Sequence, residues 1–254
     1  VKLSRREFLQ LSAGTIAYLS LPGIARAGKM AVPVLMYHDI ANHFRDPYTT
    51  TPSLFAVQME WLYASGYRAV SIQEALQLRR TSDEKIVVIT FDDGYASFLD
   101  YAFPLLEGYG FKATIAIIGA SVRSTMTFEG IRPMLSWDEY RFLAKSGLVD
   151  LACHTHNLHS FLKVRGIGEA ELSADLALFQ ETLEREVGRR SELLAWPFGF
   201  YRKEWIPVAR RAGFNYLFTS NEDLLGGSGD TTEIPRLAIN SKLDLVSFQQ
   251  YLGG

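Results

Sequence analysis

From Val32 onward the chain alternates two hydrophobic periods. Short runs rich in β-branched and aromatic residues, at 32–37, 85–91, 112–118, 148–153, 193–195 and 216–219, are separated by stretches whose apolar residues recur every three to four positions. The first pattern predicts buried strands and the second predicts amphipathic helices packed on them. Ser53 to Ser65 carries Phe55, Met59, Leu62 and Tyr63 at helical spacing and stops at Gly66. Ser71-Ile72-Gln73-Glu74 reads as a capping box opening a helix Gln73 to Leu78. Ser136-Trp137-Asp138-Glu139 reads as a second box, opening a helix to Ser146 with Gly147 just past its end. Further helices are expected over Phe98 to Tyr109 around Pro104, from Gly168 or Glu169 to Val187, and over Lys203 to Ala212. Ala69 to Ser71 and Ile234 to Ile239 complete the strands. Strand-helix units with short connections and no Pro/Gly/Ser-rich linker predict one α/β domain on a barrel or barrel-like sheet.

Polar residues collect where the predicted strands stop. Thr90-Phe91-Asp92-Asp93-Gly94 follows one run, Cys153-His154-Thr155-His156-Asn157-Leu158-His159 follows another, and His38 ends the first. Four of the five histidines therefore sit at or just after a strand end, with His43 in the first loop. An Asp pair before Gly is ordinary turn chemistry by itself. Joined to the histidines it gains another use, because one carboxylate with two imidazoles suits a divalent metal such as zinc and leaves positions for water and substrate. The remaining carboxylate can then serve as general base. Spacing leaves open which histidines bind. His154 and His156 share a face if the strand continues, whereas His154 and His159 converge if the chain turns.

Composition is that of a globular protein, 48% hydrophobic and 21% charged, with no repeat and no apolar stretch long enough to span a bilayer. Ser4-Arg5-Arg6-Glu7-Phe8-Leu9 precedes a mildly apolar run, Leu9 to Ile24, that ends at Ala25-Arg26-Ala27. This pattern resembles a twin-arginine export signal with a small-x-small cleavage site, so residues 1–27 are expected to direct residues 28–254 to the periplasm or beyond. Residues 1–27 hold Lys2, Arg5, Arg6 and Arg26 against Glu7, which leaves 22 basic and 27 acidic residues in the remainder, net −5. An acidic domain argues against nucleic acid as partner. Cys153 is the single cysteine, so no disulfide closes within the chain.

Taken together, Thr90-Phe91-Asp92-Asp93-Gly94, His154-Thr155-His156-Asn157-Leu158-His159, Trp196-Pro197-Phe198-Gly199 and Leu35-Met36-Tyr37-His38 resemble the motifs of the polysaccharide deacetylase family, the NodB-homology or carbohydrate esterase family 4 fold. Within it the likeness is greatest to the deacetylases of poly-β-1,6-N-acetylglucosamine. The resemblance implies a distorted, incomplete (β/α)7-type barrel in a single domain with circularly permuted motif order. It implies a metal-dependent N-deacetylase of an extracytoplasmic polysaccharide. Peptidoglycan, chitooligosaccharide, sugar acetyl esters or a non-catalytic carbohydrate-binding role are the alternatives.

By the same resemblance Asp92 is the general base and Asp93 the metal carboxylate. The subgroup's five-residue histidine spacing selects His154 and His159 as the other ligands and leaves His156 as a supporting or loop residue. His38 stands in for the catalytic acid that most members place near the C-terminus, where Ile234 to Asn240 has no histidine. The backbone N–H of Phe198 corresponds to the oxyanion donor. Trp196 replaces an arginine of the family motif, which removes a charged partner from the base and adds an aromatic beside the site. Zinc is the default ion, with nickel, cobalt or iron compatible with the ligand set. Tyr48, Trp137 and Tyr201 are candidates for stacking on sugar, and a partner for polymer capture or export is expected of so small a polymer-modifying domain.

Overall fold

The computed structural model describes residues 31–42, 46–127, 130–226 and 230–252; the expected export segment lies outside the described residues, as does His43. In chain order the strands are β1 (Val34–Tyr37), β2 (Asp39–Ile40), β3 (Thr49–Thr50), β4 (Arg68–Ala69), β5 (Ile86–Phe91), β6 (Ala113–Ile117), β7 (Thr125–Thr127), β8 (Ile131–Pro133), β9 (Val149–Cys153), β10 (Leu193–Ala195), β11 (Tyr216–Phe218) and β12 (Leu237–Ala238). The helices are α1 (Pro52–Ala64), α2 (Ile72–Thr81), α3 (Phe103–Tyr109), α4 (Trp137–Lys145), α5 (Phe161–Gly166), α6 (Glu169–Val187), α7 (Trp205–Arg211) and α8 (Leu245–Tyr251).

Eight strands form one sheet in the order β11-β10-β9-β6-β5-β1-β12, with β4 on the first half of β5, and every pairing in it is parallel. Parallel strands need both faces covered, and alternate residues divide accordingly. Leu35, Tyr37, Val87, Ile89, Phe91, Ile115, Ile117, Leu151 and Leu194 share one core with Phe55 and Met59 of α1 and Leu172, Leu176, Phe179 and Leu183 of α6. Val34, Val88, Ala116, Ala152, Leu193 and Ala195 form the other, whose small side chains fit the inside of a curl. The result is a curled, incomplete parallel barrel flanked by helices.

Both capping boxes form, Ser71 with Glu74 and Ser136 with Glu139. Two expected elements are interrupted at prolines. The helix foreseen over Phe98 to Tyr109 is a π-type turn, Phe98–Ala102, followed by α3, because Pro104 brings no N–H to the ladder. The strand foreseen over Ile234 to Ile239 shrinks to β12. Ile234 makes an isolated bridge to Phe218, and Pro235, with no N–H to donate, breaks the pairing before β12 begins. The two-residue strands β2 and β3, the hairpin β7–β8, α5 and α8 were not foreseen.

Candidate metal centre at the strand ends

The carboxyl ends of adjacent strands deliver the chemistry. β5 runs into Asp92 and Asp93, β9 into His154, β1 into His38 and β10 into Trp196 to Gly199. The ladder continues one residue past the strands: the Asp92 N–H donates to the Tyr37 carbonyl at 2.9 Å and the His154 N–H to the Ile117 carbonyl at 2.8 Å. Both side chains therefore leave from fixed backbone. Beyond them the chain turns sharply. Asp93, Thr155 and Phe198, at φ 74°, 64° and 58°, are three of the four described non-glycine residues in the left-handed region. Such positions cost of order 1–3 kcal/mol each and cluster where geometry serves function. Gly94 is required for a separate reason, since a Cβ there would lie 2.1 Å from the Tyr140 hydroxyl.

Asp93, His154 and His159 bring one ligand atom each within 4.8 Å of one another. Asp93 Oδ1 lies 3.4 Å from His154 Nε2 and 3.2 Å from His159 Nε2, yet this buried oxygen accepts no hydrogen bond among the described residues. Ligand atoms held about 2.0–2.2 Å from a tetrahedral zinc stand roughly 3.3–3.6 Å apart, close to the two carboxylate–imidazole distances. The far side of His154 agrees: its Nδ1–H donates to the Ala195 carbonyl at 2.8 Å, which leaves Nε2 with a free lone pair. Burial pushes the Asp93 carboxyl up, but the two imidazoles outweigh it and hold the group well below the usual carboxylate range. Burial likewise lowers His154, and the carboxylates of Asp92 and Asp93 more than offset it, so its pKa is raised. The carboxylate form of Asp93 and the charged form of His154 thus favour one another.

Asp92 sits beside this cluster with a different partner. Arg236 grips it with both forks, Nη1 to Oδ1 at 2.7 Å and Nη2 to Oδ2 at 2.8 Å, while its Nε donates to the Thr219 carbonyl at 2.8 Å. Both residues are buried, at 1% and 3% exposure, so solvent does not screen the pair. Burial pushes the Asp92 carboxyl up and Arg236 outweighs it, leaving the pKa below the ordinary value. The charged partner that Trp196 fails to supply thus comes from the other end of the chain. Trp196 itself is 1% exposed and stacked on Tyr201 at 5.8 Å, packed in the core rather than forming an open wall of the site.

His38 is half-buried with its Nδ1 unbonded among the described residues. Burial lowers its pKa, partly offset by the nearby charges of Asp93 and Asp92. Tyr48 packs against it at 5.0 Å and is 46% exposed, which puts Tyr48 at the rim. Of the other stacking candidates, Trp137 packs on Tyr140, and the Tyr201 hydroxyl donates to Glu233. The loop carrying Tyr48 is held by a buried ion cluster that the sequence did not reveal. Arg132 of β8 pairs with Asp46 and lies 3.3 Å from Asp39, while Asp46 accepts from the Tyr48 N–H at 2.8 Å. Phe198 stacks on His159 at 4.7 Å and exposes 46% of its surface beside the cluster. His156 turns away from it, against Gly119, where a Cβ would lie 2.4 Å from its Nδ1.

Comparison with known proteins places this arrangement. The Polysaccharide deacetylase family profile matches residues 79–217. A poly-β-1,6-N-acetyl-D-glucosamine N-deacetylase of Staphylococcus aureus is 27% identical over 200 residues, covering 76% of this chain and 68% of the relative. Bacillus subtilis YxkH, named for the same family, is 27% identical over 227 residues, 87% of this chain and 76% of the relative. The structure of IcaB from Ammonifex degensii superposes with a TM-score of 0.78 at 26% identity, covering 88% of this chain and 97% of that one.

Proposed function

The chain belongs to the polysaccharide deacetylase family, and from that premise we infer that it hydrolyses the acetamide groups of N-acetylglucosamine units in an extracytoplasmic polysaccharide, with poly-β-1,6-N-acetylglucosamine as the substrate. One observation carries the chemistry. Asp93, His154 and His159 converge on a point without bonding one another, and next to them stands a second carboxylate, Asp92, that an arginine keeps ionised. The first three would hold a divalent ion, proposed to be zinc, which would supply Lewis acidity to the scissile carbonyl and to the attacking water. Asp92 takes the proton of that water on a carboxylate oxygen, and the bidentate grip of Arg236 fixes its orientation. His38 donates a proton to the departing amine, whose expulsion as an anion is prohibitive. The N–H of Phe198, on a backbone held left-handed, serves the developing oxyanion, and loss of a tyrosine hydroxyl at this position leaves a main-chain donor intact.

The choice of polymer is supported by the staphylococcal relative, by the IcaB superposition and by the five-residue spacing of His154 and His159. No described helix is long and apolar enough to cross a membrane. The paired arginines at Arg5 and Arg6 support delivery across a membrane, so the reaction is placed in the periplasm or beyond, with a capture or export partner supplying the polymer. The deciding experiment measures acetate release from partially acetylated poly-β-1,6-glucosamine, chitooligosaccharide, peptidoglycan and acetylated sugars, with D92N, H38A and H159A alongside. The first substrate is expected to be fastest and the variants inactive or severely slowed. Full activity in D92N or H159A overturns the mechanism, and preference for another glycan overturns the substrate assignment.

A further inference from the structure

The loop between His154 and His159 is gripped from two sides. On one side three successive N–H groups are taken: Thr155 donates to Cys153 Sγ at 3.2 Å, His156 to Asp175 Oδ2 at 2.7 Å and Asn157 to Asp175 Oδ1 at 2.8 Å. On the other side the carbonyls are used, Thr155 accepting from the Gly119 N–H at 3.1 Å and His156 from the Ala120 N–H at 2.8 Å. The backbone is thereby held through a left-handed step at Thr155 that the residue does not favour.

Asp175 is out of place by ordinary packing rules. It lies on the inward stripe of α6 with Leu172, Leu176, Phe179 and Leu183, is 8% exposed, and makes no salt bridge among the described residues. A buried carboxylate is costly unless strong bonds compensate. A hydrophobic residue would fill the same space. What an apolar residue cannot do is accept from two consecutive amides at once, through short charge-assisted bonds.

We propose that Asp175 is the positioning residue of the metal centre, its carboxylate fixing the loop so that His159 is presented beside His154 before any ion arrives. This rests on Asp93, His154 and His159 being the metal site. Preorganisation lowers the ordering cost of binding, and loss of such outer partners typically weakens metal affinity about 10–100-fold. The side chain touches no substrate, so its effect appears in metal affinity rather than as a separate chemical step.

The test uses the full chain and zinc alone, with affinity measured by competition against a chelating dye, and amide hydrogen exchange followed in metal-free protein. D175N, nearly isosteric, is expected to weaken zinc about tenfold or more and to speed exchange at His156 and Asn157. G119A, which pushes on His156 from the opposite side, is expected to weaken zinc as well and stands in should D175N not fold. Wild-type affinity and protection in D175N, or wild-type affinity in G119A if D175N is unfolded, overturns the proposal. Equal zinc binding by wild type and H159A refutes the metal assignment instead, and the exchange comparison still decides whether Asp175 holds the loop.

Discussion

Replacing Arg236 by methionine isolates the contribution of the buried pair at Asp92, the proposed base. Methionine keeps much of the stem volume and removes the guanidinium that bonds Asp92 twice, Thr90 Oγ1 at 3.2 Å and the Thr219 carbonyl at 2.8 Å. Removing one partner of a buried ion pair costs about 3–5 kcal/mol, which for a domain of this size lowers Tm by roughly 6–20 °C. The pH dependence has a definite sign. In the wild type Asp92 is held below its unfolded value, so its contribution is full above that value and is lost as pH falls through the folded one. In R236M burial is opposed only by His154 and His38, so the carboxyl rises from its wild-type position; the variant's deficit is greatest near neutrality, is smaller at pH 4 and closes only as pH falls through the depressed wild-type value. Urea melts at pH 7 and pH 4 read this directly. Combining R236M with D92N should cost roughly 2–3 kcal/mol less than the sum of the single losses. In activity, the acid limb of kcat/KM moves to higher pH. A variant melting within about 2 °C of wild type at pH 7, or a deficit equal at both pH values, would refute the pairing as the source of the base's charge.

Zinc stoichiometry should fall from one to none in D93N and H159A while H156A keeps its ion, as read by metal analysis after dialysis; retention in H159A contradicts the ligand set. Chelation should abolish acetate release, and added zinc should restore it. H38A should lose about 100-fold or more on an acetamide but far less on 4-nitrophenyl acetate, whose leaving group needs no proton; equal losses contradict an acid role. R132M leaves Asp39 and Asp46 buried without their cation and should cost about 3 kcal/mol at pH 7. Burial pushes Asp46 up while bonds from Arg132 and Thr49 hold it below its ordinary value, so thermal melts should show this deficit shrinking as pH falls through that range.

The strand ends were legible because hydrophobic period marks where a buried run stops, and Asp92, Asp93, His154 and His38 each sit at such a stop. The capping boxes were equally readable from four residues apiece. Arg236 was not, since its bond to Asp92 joins positions 144 apart. Asp175 left a faint signal, one acid in the apolar stripe of α6. The short elements β2, β3, β7, β8 and α5 span too few residues to display a period, and the Arg132 cluster that ties β8 to β2 and β3 was hidden with them.

The seam of the sheet gives the base a place in time as well as in space. Arg236 enters the site on the segment that bridges β11 to β1, with Ile234 paired to Phe218 and Leu237 to Leu35. His38, both aspartates and the two ligand histidines all lie on or just after β1, β5 and β9, far earlier in the chain than residue 236. Without that segment Asp92 has no guanidinium partner, and the Ile234–Phe218 bridge beside it is lost. Asp92, the proposed base, therefore takes its counter-ion from the segment entering the last strand to be made, and a chain cut short before that segment lacks it.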